Sequence, residues 1–164
     1  MKKGLKRMEA GKATLFVISS MNYGKKVVGI FKKVKEHCSS GIVIACDSSF
    51  LSEEFGSKNF YCIDINKTEK IKNPRVKFVT PNSWTEVGIV FTQTLKQLQH
   101  EGKKFVFFDL NTTLPNETSL RFLNFLINII RLQKLFGVFL IPKEEQLSKK
   151  ISEFFDVVEE IKQP

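Results

Sequence analysis

Phe105-Val106-Phe107-Phe108-Asp109-Leu110 carries one polar residue in six, and Gly41-Ile42-Val43-Ile44-Ala45-Cys46 and Gly137-Val138-Phe139-Leu140-Ile141 share that pattern. A strand with one wet face alternates apolar and polar residues. A run this continuous belongs to a strand covered on both faces, as in a parallel sheet flanked by helices. Between these runs the period changes. Val27, Ile30, Phe31 and Val34 recur at i, i+3, i+4 and i+7, which draws one apolar helix face reaching to about His37. Trp84, Val87, Phe91, Leu95 and Leu98 draw another, reaching to His100. Ser83 followed by Glu86 offers a capping box at its start.

Working outward, Thr14–Ser19, Phe60–Ile65, Val76–Val79 and Val157–Ile161 read as further strands, with Pro81 and Pro142 as stops. A short helix is expected over 49–55 and a loop over 66–74. A long helix carrying Leu120, Leu123, Leu126 and Ile130 is capped by Asn116 or Thr118, and a last helix carries Leu147, Ile151 and Phe154. Strand and helix signals alternate from end to end, which predicts a three-layer, doubly wound α/β domain. Its sheet is mainly parallel, with about seven strands. Residues 13–164 form one domain and residues 1–12 a basic flexible tail.

Composition excludes several classes. Of 164 residues, 42% are hydrophobic and 26% charged, which suits a packed domain and not a disordered chain. No apolar run approaches the roughly 20 residues of a membrane span. Met8-Glu9-Ala10-Gly11-Lys12 stands where a secretory signal would be apolar, so a cytoplasmic protein without membrane contact is expected. Lys and Arg outnumber Asp and Glu by 26 to 17, for a net charge of +9. Lys2, Lys3, Lys6, Arg7 and Lys12 against Glu9 supply +4 of it, leaving +5 for the body. Such a charge favours anionic partners, non-specific nucleic acid among them. Only Arg7, Arg75, Arg121 and Arg131 are arginines, which argues against base-specific readout. Cys38, Cys46 and Cys62 lack CxxC spacing and read as reduced thiols. With His37 and His100 the only histidines, no metal site and no nucleophilic triad is drawn.

In an open α/β sheet, ligands bind beyond the carboxyl ends of the strands. Two such ends carry chemistry. Ser19-Ser20-Met21-Asn22-Tyr23-Gly24-Lys25-Lys26 joins the first strand to the first helix, and Asp109 ends the run at 105–108. A working phosphate loop reads G-x-x-x-x-G-K-[ST]: its glycines turn backbone N–H groups toward phosphate, its lysine reaches the β/γ-phosphates and its hydroxyl binds Mg²⁺. Here Gly24 and Lys25 match, Ser19 replaces the first glycine and Lys26 replaces the hydroxyl. That last change puts a cation where the metal should sit. The bland alternatives stay open: Lys25 and Lys26 as solvated residues, Asp109 as a loop cap, Asp47 as a turn residue. The adjacent pairs Glu53-Glu54 and Glu144-Glu145 point different ways on their helices and make poor acid/base dyads.

Asn22-Tyr23-Gly24-Lys25-Lys26 after the opening strand, Phe105–Asp109 with Leu110-Asn111-Thr112-Thr113-Leu114, Leu120-Arg121-Phe122-Leu123 and Phe154-Phe155-Asp156-Val157-Val158 follow one another in an order that resembles the RecA/KaiC-like ATPase domain, over roughly residues 13–161. The likeness is to small archaeal members with a degenerate phosphate loop. It implies a vestigial nucleotide site at Asn22, Gly24, Lys25, Lys26 and Asp109, and Asp47 where active relatives carry a water-activating glutamate. No catalytic residue and no metal ligand is assigned. The resemblance implies a regulatory or protein-interaction module, with ATP or ADP bound weakly if at all. The alternatives are an active ATPase, and a non-specific nucleic-acid binder using the lysine-rich surface. A protein partner or self-association is expected.

Overall fold

A computed structural model describes residues 8–45, 60–65, 75–98, 102–110, 117–143 and 151–161. Its elements are β1 (Lys12–Ile18), α1 (Tyr23–His37), β2 (Ser40–Ala45), β3 (Phe60–Asp64), β4 (Val76–Phe78), α2 (Trp84–Gln97), β5 (Lys104–Asp109), α3 (Glu117–Gln133), β6 (Phe136–Pro142) and β7 (Val157–Ile161). The strands form one sheet in the order β4-β3-β2-β5-β6-β1-β7, and every pair is parallel. The expected α/β class and doubly wound sheet are what the chain adopts.

Crossover handedness explains the layers. The connection from β1 to β2 moves toward the β4 edge, whereas those from β4 to β5 and from β5 to β6 move the opposite way. Right-handed crossovers running in opposite directions must lie on opposite faces. Accordingly α1 covers one face, packing Val27, Ile30, Phe31 and Val34 on Phe16, Val43, Phe105 and Phe107. On the other face α2 and α3 cover Leu15, Ile44, Val106, Phe108 and Phe139. Covered twice, β2 is buried at all six positions, and β5 is buried from Phe105 to Phe108. Both unbroken apolar runs have their cause here.

Two glycines mark close approaches. Gly41 in β2 lies level with Phe60 of β3 and with Phe105 of β5, and a Cβ there would overlap the Phe105 ring. At Gly137 of β6 a Cβ would stand 2.8 Å from Ile130 Cδ1 and 3.1 Å from the Ala13 backbone. Both serve packing, and neither has a positive φ.

Several boundaries differ from the sequence reading. β1 starts at Lys12, within the stretch assigned to the tail, and the Gly11 N–H donates to the Leu135 carbonyl at 2.8 Å. α2 ends at Gln97, short of His100. The capping box does not form: Ser83 makes no side-chain cap, and its N–H already donates to the Thr80 carbonyl. Glu86 therefore accepts from the Thr80 N–H instead, at 3.2 Å. Thr118 lies inside α3, so it is not that helix's cap. Residues 1–7, Cys46, Asp47, the helix over 49–55 with Glu53 and Glu54, the loop over 66–74, His100, Asn111–Leu114, Asn116, and Glu144, Glu145 and Leu147 lie outside the described residues.

At the amino edge, Asp156 ties three elements together. Its carboxylate accepts from the Ala13 N–H at 2.9 Å and from Arg131 at 3.0 Å, and its own N–H donates to the Ala13 carbonyl. Burial pushes its pKa up, but the Ala13 N–H and the Arg131 guanidinium outweigh that and hold it below the usual carboxylate value. A carboxyl group whose pKa is depressed by folding stabilises above its unfolded value, near 3.9, and loses that contribution as pH falls through the folded value. Asp156→Asn is expected to lose about 1–2 kcal/mol at pH 7, with the gap from wild type closing below about pH 4. Urea unfolding across that range checks it; a gap that ignores pH contradicts the charge-based account.

Candidate functional site at the carboxyl edge of the sheet

The connection leaving β2 runs to β3 and the one leaving β5 runs to β6, so these neighbouring strands diverge at a topological switch point. Asp109 ends β5 at that point. Its side chain shares the α1 face with Phe105 and Phe107, because side chains alternate along a strand. Asp64, at the end of β3, falls on the same face and pairs in register with Ala45. It is wholly buried and has interaction partners. By register Asp64 and Asp109 thus stand level on one face, with β2 and its Ala45 between their strands.

The other half of the site is the turn from β1 into α1. Four residues, Ser19 to Asn22, separate the last strand residue from the first helical one. Asn22 sits at φ 56 and ψ 32, a left-handed conformation that asparagine tolerates, and its side chain makes no capping hydrogen bond. The turn is closed locally, with the Tyr23 N–H donating to the Ser20 carbonyl and the Lys26 N–H to the Asn22 carbonyl, both at 3.2 Å. The helix therefore begins one residue before Gly24. At Gly24 no positive φ occurs and a Cβ would meet nothing within 4 Å, so neither conformation nor close approach demands glycine there. Asn22, Gly24 and Lys25 are exposed and Lys26 is half-buried. The first turn of α1 contains no acidic residue.

Tyr23 joins the two halves. Buried beneath α1, it reaches across β6 from the β1 turn and donates its hydroxyl to Asp109 Oδ1 at 2.6 Å. At that length the bond is a strong one to a carboxylate. In a magnesium-dependent phosphate loop the acidic residue shares the metal with a hydroxyl at the position of Lys26. Here a tyrosine hydroxyl lies directly on the carboxylate and an ammonium group replaces the ligand. These residues do not fit a magnesium ion. Sequence reasoning singled out Asp109 and the β1 turn but not Tyr23, which the loop reading passed over, nor Asp64. The available signal for Asp64 was the one that found Asp109: a lone acid closing an apolar run.

Cys38 and Cys62 are buried and in no disulfide, and burial pushes the Cys38 thiol up to about 11 against the pull of Lys103, leaving it unreactive near neutrality. Among the described residues no group of three His, Cys, Asp or Glu side chains is placed to hold a metal ion. No described helix is long and apolar enough to cross a membrane.

No family model and no curated protein matches the chain. Among solved structures it is similar to a protein of Pyrococcus horikoshii OT3, known from a structural study. The match has a TM-score of 0.66 at 13% identity and covers 99% of this chain and 87% of that one. A likeness at that identity shows a shared fold alone, which in this chain is an α/β architecture with a seven-stranded parallel sheet flanked by helices.

Proposed function

We propose that this chain is a non-catalytic RecA/KaiC-like domain acting as a regulatory or protein-interaction module, with any nucleotide held weakly and without metal. The Tyr23–Asp109 hydrogen bond carries this reading, because it takes up Oδ1 of the carboxylate that a metal would need, while Lys26 stands in place of the hydroxyl ligand. Phosphoryl transfer depends on positioning and on charge stabilisation in which the metal ion takes a large share. Lys25 and Lys26 at the start of α1 still favour an anion there, since a helix N-terminus attracts negative charge. A weak, metal-independent contact with the phosphates of ATP or ADP is what they support.

Thermal unfolding with millimolar ATP, with and without Mg²⁺, separates this reading from an active ATPase. A ligand present at 100 times its Kd stabilises by about 2.7 kcal/mol. For a chain of this size that shifts Tm by about 5–10 °C. The expected result is a shift below about 2 °C that Mg²⁺ does not enlarge. A magnesium-dependent shift of the larger size, lost in Asp109→Asn, would overturn this reading in favour of a magnesium-dependent nucleotide site, as the ATPase alternative requires.

A further inference from the structure

The outer surface of α2 and α3 is built unlike the rest of the molecule. Phe125 and Leu132 recur at i and i+7 along α3 and project outward, with Ile129 between them partly buried against the core. Phe125 is 40% and Leu132 82% exposed. That spacing is the one by which a helix packs against another helix. Across from Phe125, Ile89 of α2 is 54% exposed. Between the two helices runs an open groove of about 610 Å³, floored by Trp84 and Phe122. Gly88, whose missing side chain would stand 3.8 Å from Phe125, keeps the groove open. The same face therefore presents both projecting apolar side chains and a recess to receive them.

Charge decides which occupant this face suits. α1 carries Lys25, Lys26, Lys32, Lys33 and Lys35 against Glu36, a net +4 on one helix of a +9 chain. α2 balances Glu86 with Lys96. On α3, Arg121 pairs with Glu117 at 2.7 Å and Arg131 with Asp156 at 3.0 Å. An acidic partner would be drawn to α1. The α2/α3 face, with its nearly balanced charge, is where a second equally basic molecule approaches with less repulsion than at α1, and a patch that is both knob and hole complements itself about a two-fold axis. From this we infer that the α2/α3 face is the interface of a homodimer, in which Phe125 and Leu132 of one copy enter the groove of the other. This deepens the interaction-module reading. It is tested without nucleotide, so that either can fail alone.

The test is the mass of the full chain in solution, by sedimentation or light scattering over a range of concentrations. Wild type is expected at twice the 18.9 kDa chain mass, falling toward the monomer on dilution. Phe125→Lys and Leu132→Lys each remove an apolar contact and place cations face to face, so each is expected to weaken association about 10- to 100-fold. Both side chains are exposed, so circular dichroism should stay native. Val158→Lys, on the edge strand β7, is expected to leave the mass unchanged. A wild-type monomer at every concentration overturns the inference. So does a dimer that survives both α3 variants, or one that Val158→Lys dissociates.

Discussion

Replacing Phe31 by alanine is expected to lower stability by about 3–5 kcal/mol, at the upper end for a single core substitution. Phe31 is fully buried on the inner face of α1 and meets three rings edge-on: Phe60 at 5.4 Å, Phe105 at 6.0 Å and Phe107 at 5.3 Å, with interplanar angles of 72° to 77°. Each edge-to-face pair contributes about 0.5–1.5 kcal/mol beyond the area it buries. The three rings come from β3 and β5, so one side chain holds the helix across several strands. Relaxation cannot refill the cavity without moving the sheet, whose strands are fixed by their ladders. In Tm the loss corresponds to about 10 °C or more. Phe31→Leu, which keeps most of the volume and loses the ring geometry, is expected to cost less than half as much. Equal losses for the two variants would show that ring geometry, and not volume, dominates.

Gly41→Ala is expected to cost about 2–3 kcal/mol although it adds a single methyl group. The new Cβ lands in the Phe105 ring, and that ring also packs edge-on against Phe31. Elsewhere in a strand, alanine would be the better residue, since glycine has more backbone freedom to lose on folding. The sign of the effect is therefore diagnostic. Phe105→Leu in the Gly41→Ala background is expected to restore part of the loss, giving a coupling of about 1 kcal/mol or more. Stability unchanged by Gly41→Ala would mean that the Phe105 ring is free to move, and would undercut the Phe31 prediction as well.

The strands were readable because burial on two faces leaves no polar positions. Ile42–Ala45 and Phe105–Phe108 could scarcely be anything else. The inner face of α1 was equally plain, and Val27, Ile30, Phe31 and Val34 are all buried. What could not be read was which strand lies beside which, because pairing is decided by crossovers between residues far apart in the chain. The Tyr23–Asp109 bond spans 86 positions for the same reason, and no local pattern announces it. At the start of α2 the local signal was present but lost to a neighbour: the turn at Thr80 takes the Ser83 N–H that a capping box needs. Gly24 and Lys25 matched a motif by type, yet the helix had already begun. The match in letters did not place Gly24 where its backbone or its surroundings require glycine.

Because β1 is bordered by β6 and β7, the first of these seven strands to be synthesised meets neither of its sheet neighbours until residues 136–161 have followed it. During synthesis both of its hydrogen-bonding edges stay open, beside the wholly buried side chains of Leu15, Phe16 and Ile18. A nascent chain in that condition is a template for mispairing, and its safety depends on how quickly the far end arrives.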